Sequence, residues 1–173
     1  MKSIDERMKK YISVAESFGV LHAVAVTPDE IVFDGRTVLK CMFGCSDWGT
    51  GLTCPSRKGS LMPWDYEPLL RKYSAVLILH SNDKKTAQEA SFVIEREAYF
   101  DGDALAFSMS DCALCERCAG NTNEQCRNIR KARPAFHSVG IDVFTTINKL
   151  GLPLSPLKEE DETQNWYSAV WLN

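Results

Sequence analysis

Asp111-Cys112-Ala113-Leu114-Cys115-Glu116-Arg117-Cys118, followed after seven residues by Cys126, is the stretch on which the organisation of this chain turns. Three thiols two residues apart, with a fourth a short loop away, reach one point only if the backbone coils tightly around it. The strands and helices on either side must therefore deliver the chain to a bound centre. A second segment, Cys41, Cys45 and Cys54, holds the remaining thiols.

The C-x2-C-x2-C run resembles the start of the bacterial ferredoxin motif, in which three evenly spaced thiolates hold three irons of a cubane and a fourth cysteine completes or exchanges the set. An iron–sulfur cluster, [4Fe–4S], is the expected cofactor. Zinc is the alternative, although zinc sites usually use two separated C-x2-C pairs facing each other across a tetrahedral ion. A disulfide or unliganded thiols come third. The match departs from ferredoxin at Cys126, which follows after seven residues instead of three and precedes Arg127 instead of proline.

A chain of 173 residues fits one domain, 1–173, large enough to bury a core without staples. Its 45% hydrophobic and 25% charged residues are those of an ordinary globular protein. A formal charge of −3 and a pI near 5.6 argue against a nucleic-acid surface. The basic run 127–133 lies beside the thiols and serves first as compensation for an anionic cluster. Residues 1–10 are charged and lack the apolar core of a signal peptide, and the longest apolar run, 75–79, is too short to cross a membrane. A cytoplasmic location, with no membrane partner, is expected. Seven cysteines in a reducing compartment suit metal ligation better than disulfides, and their odd number weakens a closed disulfide framework further.

Outward from the cysteines, helical spacing predicts a helix over 3–18. A meander of three short strands follows at 20–27, 31–33 and 36–40, with Asp34-Gly35 as its hairpin turn. The glycine- and proline-rich stretch 41–63 has no periodicity and is a loop organised by a ligand. A helix is expected over 64–73 and a central apolar strand over 74–80. Residues 84–100 form the best helix, with Ala87, Ala90, Ile94 and Ala98 as its inner stripe. A strand at 104–109 then leads into the main cysteine loop. Helical spacing over 136–150, a proline-containing acidic connector over 152–163 and a last strand at 167–172 complete the chain. This order gives an α/β fold: a mixed β-sheet with helices packed on it, and two cysteine-bearing loops meeting at one sheet edge.

With both segments in view, Lys40-Cys41-x3-Cys45-x8-Cys54-Pro55, the Cys112–Cys118 run, Lys131-Ala132-Arg133-Pro134 and Val139-Gly140-Ile141-Asp142-Val143-Phe144 together resemble an uncharacterised bacterial and archaeal family of predicted metal-binding proteins. The resemblance covers most of the chain and implies cysteine-bound metal without implying a reaction. In that family a second proline often follows the Cys-Pro; Ser56 stands there in this chain.

Seven cysteines divide most simply as four plus three. Cys112, Cys115, Cys118 and Cys126 would close one cubane for electron transfer. Cys41, Cys45 and Cys54 would hold a second with one iron free of protein thiolate. A ferredoxin-like exchange competes, in which Cys54, bearing the Cys-Pro signature, completes the Cys112/Cys115/Cys118 set and leaves Cys41, Cys45 and Cys126 together. Against both, Cys41 and Cys45 could be small buried hydrophobes. His22, His80 and His137 are candidates for a missing ligand, and each is equally an ordinary packed histidine. Asp111 and Asp142 are candidate proton donors or capping groups. Arg117, Arg127, Arg130, Lys131 and Arg133 offset thiolate charge, bind an anionic partner or form a solvated face. Trp48 and Trp64 shield the first segment or pack as any tryptophan does. No phosphate loop, dinucleotide fingerprint, nucleophile elbow or H-E-x-x-H is present.

Three functions remain from the sequence. The first is an iron–sulfur protein with an electron-transfer or redox accessory role in anaerobic metabolism, served by a redox partner protein. The second is a reductase or sulfur-handling enzyme, with a small-molecule substrate at an open cluster on Cys41, Cys45 and Cys54. The third is a zinc-stabilised binding module.

Overall fold

The computed structural model describes residues 4–159 and 161–173. Ser3, the first residue of the expected N-terminal helix, and Glu160, within the expected connector, lie outside the described residues. In chain order the elements are α1 (Ile4–Ser17), β1 (His22–Val26), α2 (Thr37–Gly44), α3 (Pro63–Leu70), β2 (Ala75–Ser81), α4 (Lys84–Phe100), β3 (Phe107–Ser110), α5 (Val143–Lys149) and β4 (Trp166–Leu172). Four strands form one sheet in the order β1-β2-β4-β3.

The two inner strands are mostly apolar because both faces of the sheet are covered, with His80 and Ser81 in β2 and Ser168 in β4 as exceptions. Leu77, Leu79, Val170 and Leu172 point to one side, where Ala90, Ile94 and Ala98 of α4 meet Met8, Tyr11 and Ala15 of α1. Val76, Ile78, Ala169 and Trp171 point to the other, against Phe136, Val139, Ile141 and Ile147. Alternate residues of β2 and β4 thus feed two separate cores, as a side-chain period of two requires. All pairings are antiparallel, with Ile78 opposite both Val24 and Ala169. The α/β class holds, with strand directions alternating where a mix was expected. No helix among the described residues is long and apolar enough to cross a membrane.

The expected meander gives way to a strand and a helix. β1 is present, but 31–33 contributes only the isolated bridge of Phe33 to Ile141, and 36–40 lies at the start of α2. Asp34-Gly35 starts that helix instead of turning a hairpin. Asp34 Oδ1 accepts from Arg36 N at 2.8 Å, and the Asp34 and Gly35 carbonyls accept from Thr37 N and Val38 N. A hairpin of the expected type needs positive φ at both central residues, and Gly35 is outside the positive-φ set. The first cysteine segment therefore begins on a helix and not at a strand end.

The helix expected over 136–150 is divided. A short 3-10 turn, His137–Val139, ends at Gly140, whose φ is +85°, and α5 restarts with Asp142 accepting from Thr145 N at 3.0 Å. The inward spacing survives the break, since Val139 and Ile147 are both fully buried. The second cysteine segment leaves β3, the edge strand, as expected.

Candidate metal centre

Each cysteine segment inherits its position from the element before it. Cys41 stands on α2 and is buried, Cys45 is exposed just past the end of that helix, and Cys54 is half-buried in the following loop. Burial pushes the Cys41 thiol up to about 11, with the charges of Cys54, Cys45 and Asp111 adding to the shift.

Beyond β3, Cys112, Cys115, Cys118 and Cys126 line a single cavity of about 110 Å³. Its facing wall comes from the first cysteine segment, through Asp47, Gly51, Leu52 and Thr53; Cys54 is not among the lining residues. The loops touch at Gly120, two residues after Cys118, where a Cβ would collide with the Thr50 carbonyl and press within 3.2 Å of Leu52. In the same wall, a Cβ on Gly51 would come within 3.2 Å of the Cys54 Cβ. The two cysteine-bearing loops thus meet at the β3 edge, where the sequence expected them.

Side chains from the scaffold hold the second loop. Arg133 forms a two-pronged ion pair with Glu95 of α4, one prong being Nε to Oε2 at 2.9 Å, and its guanidinium lies over the Phe92 and Phe107 rings. Glu95 Oε2 also accepts from Ser108 N at 2.6 Å, so one carboxylate ties the loop's return to the strand it left. At the edge itself Ser110 N donates to the Pro134 carbonyl at 3.0 Å. Gln88 of α4, 2% exposed, accepts from Ala113 N at 2.8 Å. Its Nε2 is buried without a partner, which costs about 1–3 kcal/mol for an amide donor. Asn128 Nδ2 donates to Cys115 Sγ at 3.1 Å.

The donor set suits a soft metal centre. Seven free thiols, an amide already aimed at sulfur and a buried orphan amide donor beside the same turn fit thiolate and sulfide acceptors. Among the described residues, no three His, Cys, Asp or Glu side chains close around a point that one ion would fill. For zinc that point would stand about 2.3 Å from each sulfur.

The other residues singled out from sequence have varied placements. His22 and His80 face each other across β1 and β2 with their Nδ1 atoms 2.8 Å apart, and His80 Nε2 meets Asn165 Oδ1 at 2.8 Å. His137 lines a groove with Lys40 and Phe43 of α2. Asp142 is a helix cap. Arg127 pairs with Glu124 at 3.0 Å, Lys131 lies over Phe92, and Arg117 and Arg130 are exposed. Trp64 is 56% exposed and Trp48 half-buried. Sequence reasoning missed Gln88 and Asn128. A polar residue beside the inner stripe of α4, and an asparagine two residues past Cys126, were the available signals.

No curated protein and no solved structure matches the chain. A family model described as "Predicted metal-binding protein (DUF2284)" matches residues 24–172, a span that contains all seven cysteines and the loop anchors Gln88, Glu95, Asn128 and Arg133. The chain with two thiol-bearing loops joined at the edge of an antiparallel sheet belongs to DUF2284, a family of predicted metal-binding proteins.

Proposed function

We propose that this chain is a cytoplasmic iron–sulfur protein that passes electrons to a redox partner protein, with Cys112, Cys115, Cys118 and Cys126 as the ligands of a [4Fe–4S] cluster. The observation that carries the reading is the convergence of these four thiols, from a C-x2-C-x2-C run and a later cysteine, on one cavity. When bound, such a cluster supplies one-electron transfer. The chain supplies four thiolates, an amide donor to one of them, a facing wall of backbone and the cationic side chains of the 127–133 run.

Cys41, Cys45 and Cys54 form a second set, in which a buried thiol on a helix adjoins an exposed one just beyond it. That exposure supports a second reading for this set alone: a centre open to solvent on the Cys45 side, where a small molecule could meet the metal in a reductase or sulfur-handling reaction.

Iron, acid-labile sulfide and zinc are measured in protein prepared without oxygen, together with Cys115→Ala and Cys54→Ala variants. About four irons and four sulfides for the first set are expected by cluster stoichiometry, retained in Cys54→Ala and lost in Cys115→Ala. Colourless, zinc-loaded protein would overturn the reading in favour of a zinc-stabilised binding module. Loss of the Cys112 centre in Cys54→Ala would favour the exchanged ligand set.

A further inference from the structure

A thiolate sulfur accepts hydrogen bonds, and each bond favours the more negative state of the centre to which the sulfur belongs. Among the described residues, one side chain makes such a bond. Asn128 Nδ2 lies 3.1 Å from Cys115 Sγ, the middle thiol of the run. A metal-bound thiolate has no proton to give, so the amide must face it with N–H.

Asn128 is held for this by its own backbone. Its carbonyl accepts from Lys131 N at 2.8 Å and Ala132 N at 2.9 Å, which fixes the turn without using the side chain. The acceptor is fixed as well, because buried Gln88 grips Ala113 N, two residues before Cys115, from the rigid helix α4. The neighbouring cation does not replace this donor: Arg127 is paired with Glu124 at 3.0 Å. Donor and sulfur thus meet through two independent anchors, one in the loop and one in the core.

Resting on the iron–sulfur reading above, we infer that Asn128 is a positioning residue that raises the reduction potential of the Cys112/Cys115/Cys118/Cys126 centre through its N–H to the Cys115 sulfur. Reduction adds one electron to the centre, and the amide proton stays on nitrogen. The bond strengthens as negative charge grows on sulfur, so it favours the reduced state.

Anaerobic titration with dithionite, followed by the paramagnetic signal of the reduced centre, compares wild type with Asn128→Ala and the nearly isosteric Asn128→Asp. Iron and sulfide are counted in each. Asn128→Ala is expected to lose about tenfold in the equilibrium constant for electron uptake, a fall of about 59 mV for a one-electron couple. Asn128→Asp, which puts a carboxylate against the sulfur, falls further. Unchanged midpoints in both variants at full iron content would overturn the inference and leave the iron–sulfur reading standing. Failure of both variants to hold iron would assign Asn128 to loop structure and overturn it as well. Wild type without iron would overturn the reading itself, a failure seen in the metal count before any titration.

Discussion

His80 closes the buried end of β2, with His22 across the strand pair, Asn165 at its Nε2 and the Tyr167 ring stacked 4.8 Å away. Burial holds this imidazole below its ordinary 6.5, with the charge of His22 adding a smaller push in the same direction. The neutral form is therefore favoured by folding. As pH falls below about 6.5 the unfolded chain takes up the proton first, so stability is complete above that value and is lost toward the lower folded value. The melting temperature should decline between about pH 7 and pH 5, and His80→Gln should flatten the decline. Identical profiles would remove His80 from the account. The same residue shows where sequence stops short: the cysteines announce themselves by spacing, whereas His80 is a possible ligand until its strand partner is known. Asn128 was invisible for the same reason, since its contact with Cys115 is made by a turn that no periodicity encodes.

Among the elements, β2 and α4 were legible because a continuous apolar run and a clean 3.6-residue stripe report directly on burial, and β4 was legible from strand composition alone. α2 was not. Thr37-Val38-Leu39 has strand composition, and the adjacent Asp-Gly pair is the usual hairpin signal, yet the Asp34 side chain satisfies Arg36 N and starts a helix. A local side-chain-to-backbone turn outweighed propensity there. In the 136–150 segment the spacing was right and the continuity wrong, because Gly140 adopts φ +85°. A Cβ on it would come within 2.8 Å of the Pro63 carbonyl, so the left-handed turn also lets the chain pass close to the start of α3. Gly140→Ala should therefore cost about 1–3 kcal/mol, combining backbone strain with a steric clash. A denaturation midpoint equal to wild type would refute it.

At the scale of the molecule, the two cores on opposite faces of the sheet contain none of the seven thiols, of which only Cys41 is buried. The scaffold is therefore built from residues other than the proposed ligands. What joins the two thiol-bearing loops is contact between them, and Gly120 against Thr50 is a point of close backbone approach. Gly120→Ala forces backbone apart at that point, so it should reduce the metal held by the second segment and lower stability by about 1–3 kcal/mol. Full metal content and an unchanged melting curve in that variant would mean that the loops do not depend on each other. That two cysteine loops would meet was expected from two strand ends, of which only that of β3 exists, the first loop arriving instead from α2. That they meet through a glycine was not, because neither loop's sequence records what the other presents to it.

Gly51 lines the four-thiol cavity, and a Cβ on it would come within 3.2 Å of the Cys54 Cβ. So short a separation, with no side chain to widen it, insulates poorly. Charge arriving in either compartment would shift the affinity for charge in its neighbour, and two centres there would titrate as a pair with shared macroscopic constants instead of two private ones.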